Sequence, residues 1–284
     1  MVTLLGASDI RALASELGVS PTKKWGQNFV HDANTVRKIV ATARLQPSEP
    51  VVEIGPGLGS LTLGLIEAGH RVTAIEIDGR LASRLSETLV ERGGGSASLS
   101  VVHSDAMTVT ELSAEPTALV ANLPYNISVP VLIHMLDTFP TLRRILVMVQ
   151  AEVGQRLAAG PGTKMYGVPS LKAAWWGDWN LEGTVSRRVF WPEPNVDSVL
   201  VGMTAHDVPG DDALRKITFA LVDAAFGQRR KTLRQALSSY CGSTSAAEEL
   251  CVAAGIDPSA RGEQLQLDGF LALAREQRRR DGTP

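Results

Sequence analysis

Three things are scarce in this sequence, and each scarcity removes a class of protein. Only two cysteines occur in 284 residues, Cys241 and Cys251, and neither belongs to a ligand-rich cluster; the five histidines are scattered. A disulfide framework and a zinc site are therefore not indicated, the thiols read as reduced and structural, and no metal is expected. Long apolar runs are missing as well. None approaches the ~20 uncharged residues of a membrane span, and Asp9, Arg11 and Glu16 fall where a signal peptide needs an apolar block. The expectation is a soluble, cytoplasmic protein with no membrane partner.

The third scarcity is positive charge: 28 Lys and Arg stand against 30 Asp and Glu, a formal charge of -2. Bulk basicity, the usual signature of a nucleic-acid binder, is excluded. Local clusters remain at Lys23-Lys24, Arg143-Arg144, Arg187-Arg188, Arg229-Arg230-Lys231 with Arg234, and Arg278-Arg279-Arg280. Taken singly, a cluster of this kind is more often a solvated face than a binding site.

What is present is a chain 44% hydrophobic and 20% charged, long enough for one large α/β domain and a smaller appendage. Behind a helical lead-in over residues 1–48, apolar stretches and breakers alternate as in a parallel sheet with crossover helices. Strands are expected at 51–54, 72–77, from 101, at 119–121 and at 145–149, with helices at 58–68, 80–91 and 128–136. Two late strands, 181–189 and 196–203, read as a hairpin closing one sheet edge. After 206 the period becomes helical at 213–226, 231–240, 246–254 and 269–276. The division expected is an α/β domain over 1–206 and a helical domain over 207–284.

The run Glu53-Ile54-Gly55-Pro56-Gly57-Leu58-Gly59-Ser60 follows the first strand and opens a helix, where open α/β sheets bind nucleotide-like ligands. The sixth residue counted from Gly55 is Ser60, so the dinucleotide fingerprint G-x-G-x-x-G is not met. Glu76 ends the second strand, 21 residues beyond Gly55. A carboxylate there can accept hydrogen bonds from both hydroxyls of a ribose, a group common to dinucleotides and S-adenosylmethionine. Asp105 ends the third strand and can accept from an adenine amine, while the Ala106 amide donates to a ring nitrogen. Glycine loop, Glu and Asp at three successive strand ends is a stronger signal than any of them alone.

Asn122-Leu123-Pro124-Tyr125 follows the fourth strand and so lies at the same edge. An exocyclic adenine amine is a poor nucleophile because its lone pair is delocalised into the ring. The Asn122 side-chain oxygen and the Leu123 carbonyl, both accepting N6 hydrogens, favour a pyramidal nitrogen whose lone pair faces a methyl donor. Pro124 stiffens the turn and adds no competing donor. Tyr125 presents a flat face for a base rotated out of its helix, a stack worth ~1–3 kcal/mol.

Over nearly its whole length the chain resembles the ribosomal RNA adenine-N6 dimethyltransferase family, often called the kasugamycin-resistance methyltransferases. The resemblance is carried by Gly26-Gln27-Asn28-Phe29, Glu53 to Gly59, Asn122 to Tyr125, Tyr166-Gly167, Phe190-x-Pro192-x-Pro194-x-Val196-Asp197-Ser198, and Phe226-Gly227-Gln228-Arg229-Arg230-Lys231-Thr232-Leu233-Arg234. The last two stretches separate this family from methyltransferases that share only the cofactor core. The resemblance implies a Rossmann-like class I S-adenosylmethionine methyltransferase fold, with a mostly parallel seven-stranded sheet and a small C-terminal helical domain. It implies that Asn28 and the Val30 backbone close over the methionine part of the cofactor, with Gln27 also among the cofactor-binding residues. Glu53, Gly55 and Gly57 form the loop beside it, and Glu76, Ile77, Asp105, Ala106 and Asn122 complete the set.

By the same resemblance the target adenine stacks between Tyr125 and Phe190. Arg229, Arg230, Lys231 and Arg234 hold RNA, and the substrate is 16S ribosomal RNA within the assembling small subunit, met by a monomer. The implied reaction is dimethylation of two adjacent adenines in the 3′-terminal hairpin. Methylation of another amine, a protein glutamine or a DNA adenine, is disfavoured by the Phe190 to Ser198 and Phe226 to Arg234 stretches. A non-enzymatic assembly or transcription factor is disfavoured by the intact Asn122 to Tyr125 run. Two features depart from the pattern: Val30 stands where leucine is frequent, and Trp175, Trp176 and Trp179 form an unusual cluster whose default reading is packing.

Overall fold

The computed structural model describes residues 2–19, 28–124 and 127–282. Nine strands are found among them: β1 (Phe29–Val30), β2 (Pro50–Ile54), β3 (Arg71–Glu76), β4 (Leu99–His103), β5 (Ala118–Asn122), β6 (Arg144–Gln150), β7 (Gly177–Val185), β8 (Phe190–Trp191) and β9 (Ser198–Ala205). The helices are α1 (Ala7–Glu16), α2 (Ala33–Thr42), α3 (Ser60–Glu67), α4 (Gly79–Glu91), α5 (Ser128–Thr138), α6 (Ala151–Leu157), α7 (Val168–Ala173), α8 (Asp212–Gly227), α9 (Leu233–Ala236), α10 (Ser238–Cys241), α11 (Thr244–Ala253) and α12 (Leu267–Arg280).

Seven strands form one sheet in the order β4-β3-β2-β5-β6-β9-β7. The first five run parallel, and β9 is antiparallel to β6. This is the mostly parallel seven-stranded sheet that the resemblance implies. Strands such as Val51-Val52 and Leu119-Val120-Ala121 are buried on both faces, which is why they read as continuous apolar runs instead of alternating ones. Chain order reverses between β2 and β5, so a crevice opens beyond their carboxyl ends. Polar caps start the helices that pack on the sheet: Asp32 accepts from the Thr35 amide at 2.7 Å and Asp78 from the Arg80 amide at 3.0 Å.

The chain separates into two compact units, Met1–Gly154 with Trp179–Ala205, and Gln155–Asp178 with His206–Pro284. The helical unit is thus discontinuous and takes in residues 155–178, ahead of the division expected at 206. In it α12 packs on α8, with Phe226 tilted against Phe270 at 6.4 Å and Tyr166 edge-on to Phe226 at 6.2 Å. The Tyr166 hydroxyl donates to the Leu265 carbonyl at 2.7 Å, and burial pushes its pKa up to about 12. Trp175 and Trp176, both buried, meet the Phe219 ring edge-on at 6.0 and 5.8 Å. The Arg215 guanidinium lies over Trp176 and Phe219. These two tryptophans are core residues of the helical unit, while Trp179 is buried in the strand β7.

Two local expectations are corrected. The late strand expected at 181–189 runs four residues earlier and stops at Val185, after which Phe190-Trp191 leaves the large sheet to pair with β1. The helix expected at 231–240 is two short helices, α9 and α10, meeting at Leu237.

Candidate functional site

A cavity of about 400 Å3 lies at the carboxyl edge of the large sheet, within the range of small-ligand pockets. Its wall is drawn from the ends of four neighbouring strands: Glu53 to Leu58 after β2, Glu76-Ile77 after β3, Ser104 to Met107 after β4, and Asn122 with Pro124 after β5. Asn28, Phe29 and Val30 supply a further side. The glycine loop is shaped for close approach of a ligand. Gly55 has φ +66°, and a Cβ at that position would meet nothing nearer than Pro124 Cδ at 3.9 Å, so the backbone faces open space. At Gly57, with φ +59°, a Cβ would lie 2.8 Å from the Phe29 ring, so the ring rests against the bare α-carbon.

Two carboxylates are sunk behind this loop. Glu76 is 5% exposed; its Oε2 accepts from the Gly57 amide and its Oε1 from the Asp78 amide, both at 3.0 Å. Burial raises its pKa, and the backbone hydrogen bonds from Asp78, Gly57 and Ile77 counter part of that rise. An ionised carboxylate has about four acceptor sites, so the group retains capacity for donors from the cavity. Vicinal ribose hydroxyls are such donors. Glu53 is 1% exposed and takes a hydrogen bond from the Thr62 hydroxyl at 2.6 Å. Burial pushes its pKa up to about 8, with the Glu76 charge adding to the rise.

Asp105 Oδ1 accepts from the Met107 amide at 2.9 Å, which fixes the turn, and Oδ2 takes no hydrogen bond from the described residues. Asn122 is oriented from a distance. Its Nδ2 donates to the Asn28 carbonyl, 94 residues earlier, at 2.9 Å, and its Oδ1 takes no hydrogen bond from the described residues. The amide is thereby turned so that nitrogen is engaged and oxygen is left as an acceptor. Leu123 is held through its backbone, its N–H donating to the Met148 carbonyl at 3.1 Å, and its side chain is buried off the cavity wall. Ser128 ties down the turn, its hydroxyl donating to the Pro124 carbonyl at 2.8 Å. The Val30 carbonyl accepts from the Ser60 hydroxyl at 2.5 Å.

Of the residues singled out from sequence, Asn28, Val30, Glu53, Gly55, Gly57, Glu76, Ile77, Asp105, Ala106, Asn122 and Pro124 come together around this one cavity. Gln27 and Tyr125 lie outside the described residues. Phe190 is 3% exposed, opposite Val30 in the β1–β8 pair, and is not on the cavity wall. Met107, Ile127 and Ser104 line the cavity without having been foreseen. Met107 had a signal, standing two residues past Asp105, whereas the Asn28 to Asn122 link had none that a local pattern can carry.

In the helical unit, Arg229 is tied to Glu263 at 2.7 Å and to the Lys164 carbonyl at 3.3 Å. Arg234 pairs with Glu248 at 3.5 Å. Arg230 and Lys231 have side chains with no partner among the described residues, and Lys231 is exposed. Among the described residues no group of three His, Cys, Asp or Glu is placed to hold a metal, and no helix is long and apolar enough to cross a membrane.

The cavity suits S-adenosylmethionine on structural grounds. A bare glycine backbone, a buried carboxylate with unused acceptor sites and an Asp with one oxygen open stand in the order that loop, ribose and adenine require. Residues 19–277 match the family model described as ribosomal RNA adenine dimethylase. A ribosomal RNA small subunit methyltransferase A of Leifsonia xyli subsp. xyli is 63% identical over 273 residues, covering 95% of this chain and 98% of the relative. The protein of the same name from Streptomyces coelicolor is 58% identical over 274 residues, covering 95% and 96%. Among solved structures, a dimethyladenosine transferase from Plasmodium falciparum superimposes with a TM-score of 0.75 at 22% identity, over 90% of this chain and 98% of that one, and supports the fold.

Proposed function

This chain belongs to the ribosomal RNA adenine dimethylase family, and from that premise we propose that it dimethylates N6 of two adjacent adenines in the 3′-terminal hairpin of 16S ribosomal RNA. The reading is carried by one observation: an Asn122 amide whose nitrogen is held by the Asn28 carbonyl and whose oxygen is left to accept. S-adenosylmethionine, when bound, supplies a methyl group activated by its sulfonium. Glu76 takes the ribose hydroxyls, Asp105 and the Ala106 amide read the adenine, Ile77 packs beside it, and the Gly55 and Gly57 backbone borders the methionine part. Asn28, Val30 and Glu53 complete that wall, and Gln27 is assigned to the cofactor by the family resemblance alone.

In the first transfer Asn122 Oδ1 and the Leu123 carbonyl accept the two N6 hydrogens and turn the nitrogen lone pair toward the cofactor; in the second, the one hydrogen left on the monomethylated nitrogen engages one of these two acceptors. The gain is one of orientation and preorganised charge. Pro124 keeps the turn rigid, and Tyr125 and Phe190 grip the base between them. Phe190 lies buried against β1, so the base enters by displacing packing. No histidine or carboxylate occurs within Asn122 to Tyr125, and the proton leaves N6 to water after transfer.

The helical unit holds the RNA through Arg230 and Lys231, with Arg229 and Arg234 shaping the same surface from their ion pairs. Two of the four cations in this cluster are already paired, with Glu263 and Glu248, and so small an electrostatic footprint favours a shaped target over free RNA. The substrate is therefore the pre-assembled small subunit, late in assembly, met in the cytoplasm by a monomer. Incubation with labelled S-adenosylmethionine and unmethylated small subunits should place label on two adjacent adenines of the 3′-terminal hairpin, and naked RNA should label poorly. Label recovered chiefly in DNA, in protein or elsewhere in the RNA would reject the proposal.

A further inference from the structure

One strand of two residues joins the separate parts of this site. Phe29 in β1 lies against Gly57 of the cofactor loop, and Gly57 in turn donates to Glu76. Asn28, just ahead of it, supplies the carbonyl that fixes the Asn122 amide at 2.9 Å. Val30, just after, accepts from Ser60 at the head of α3. A two-residue strand cannot hold this position by its own ladder, since even a full two-stranded hairpin is marginal in water. Its partner is β8, joined through the pairs Phe29 with Trp191 and Val30 with Phe190, and extended by the His31 amide donating to the Val189 carbonyl at 2.9 Å. The Trp191 ring stacks on the Phe29 ring at a centroid distance of 6.4 Å and an interplanar angle of 21°, the cross-strand aromatic pairing that stabilises sheets.

We propose that Trp191 is a positioning residue for methyl transfer: by stacking on Phe29 it holds the strand whose Asn28 carbonyl orients Asn122. The inference rests on the reading of Asn122 as the acceptor for N6. Loss of the stack frees Phe29 to shift on Gly57, Asn28 moves with it, and the Asn122 amide regains rotation about its terminal torsion. Glu76 and Asp105 keep their bonds from the Asp78 and Met107 amides, so the cofactor loses only part of its wall, at Asn28 and Phe29, and transfer suffers more than cofactor binding.

The test uses the full chain carrying Trp191→Ala, Trp191→Leu or Trp191→Phe, with unmethylated small subunits as substrate and S-adenosylhomocysteine as the calorimetric probe of the cofactor cleft. Trp191→Ala should slow single-turnover transfer at saturating subunit and cofactor by roughly tenfold, the scale expected from a sub-ångström misplacement. Affinity for S-adenosylhomocysteine should change by less than about threefold, and Trp191→Phe should restore the rate. If the alanine variant does not fold, the leucine variant, which keeps an apolar side chain without the flat ring, takes its place.

An unchanged rate in the alanine or leucine variant overturns the proposal. So does a loss confined to the subunit concentration needed for half-saturation, which would make Trp191 an RNA contact. Asn122→Ala is run in parallel. If it transfers methyl groups at the wild-type rate, the reading of Asn122 falls and the inference with it. If it is inactive while Trp191→Ala is normal, the inference alone falls.

Discussion

Both compact units pair charges at the surface, but among the described residues only the sheet unit buries acids at a cavity. The sheet unit carries 14 Lys and Arg against 18 Asp and Glu, and the helical unit 14 against 12, so the acidity of the whole chain belongs to the sheet unit. Two acids of the sheet unit that bear on function are buried: Glu53 and Glu76 are 1% and 5% exposed and have no cationic partner among the described residues. Charges of the helical unit stay at the surface, mostly in pairs such as Arg229 with Glu263, Arg278 with Asp211, and Arg279 and Arg280 with Glu276. A site made by desolvation responds to pH and little to salt, whereas a surface made of exposed cations does the reverse. Overall net charge therefore conceals a division of labour that becomes visible once the units are counted separately.

The sharpest way to break that comparison is to titrate the buried end. Glu53 has a folded pKa of about 8 against an ordinary value of 4.5. Between those values the unfolded chain has lost the proton and the folded chain keeps it. Stability in the cofactor-free protein therefore falls as pH rises through this window, by about 1.4 kcal/mol per pH unit and on the order of 5 kcal/mol in all. Below the window both states are protonated and the penalty vanishes. Glu53→Gln, which still accepts from Thr62, should remove this slope, so the variant gains on the wild type with rising pH in denaturant melts. Parallel curves for the two proteins from pH 5 to pH 9 would refute the burial argument.

Glu76→Ala comes next in size. It removes the carboxylate proposed to accept the ribose hydroxyls and leaves the Gly57 and Asp78 amides without their acceptor. A hydrogen bond to a charged group is worth ~1.5–3 kcal/mol, so cofactor affinity should drop by about 10- to 100-fold. Binding by wild type should be nearly constant between low and high salt, because a buried group is weakly screened. Calorimetry with an unchanged dissociation constant, or with a steep salt dependence in the wild type, would place the ribose elsewhere.

These predictions draw unequally on what a linear reading can see. The sheet was legible because its central strands are buried on both faces and leave continuous apolar runs, as at 51–54 and 145–149. The cavity wall was legible because strand ends bring Gly55, Glu76, Asp105 and Asn122 to one edge whatever the loops do. Strands β1 and β8 were not, since two residues carry no periodicity and exist only through pairing with each other. The Asn28 to Asn122 hydrogen bond spans 94 residues and is likewise a product of the tertiary fold. Residues 155–178 joined the helical unit unannounced, because short helices broken by Gly160-Pro161-Gly162 give no sustained period and their place is set by Trp175 and Trp176 packing on Phe219.

The smallest expected effect lies on the exposed side of the comparison. Arg230 and Lys231 stand beside Arg229 and Arg234, whose guanidinium groups are engaged by Glu263 and Glu248. If the cluster acts on RNA, the two cations without a carboxylate partner contribute most and the two paired ones chiefly shape the surface. Removing one cation that neutralises a phosphate lowers the salt slope of binding by about one, and at physiological salt weakens binding by about fivefold. Arg230→Ala and Lys231→Ala should each do this for small-subunit binding while leaving cofactor affinity and its pH dependence untouched. Arg234→Ala should cost less, because a surface pair at 3.5 Å has already satisfied part of its charge. A filter-binding series across salt concentrations reads all three. If Arg234→Ala weakens binding more than Arg230→Ala, the pairing seen within the helical unit does not govern which cations face the RNA, and the simple opposition of a buried acidic site and an exposed basic surface has to be redrawn.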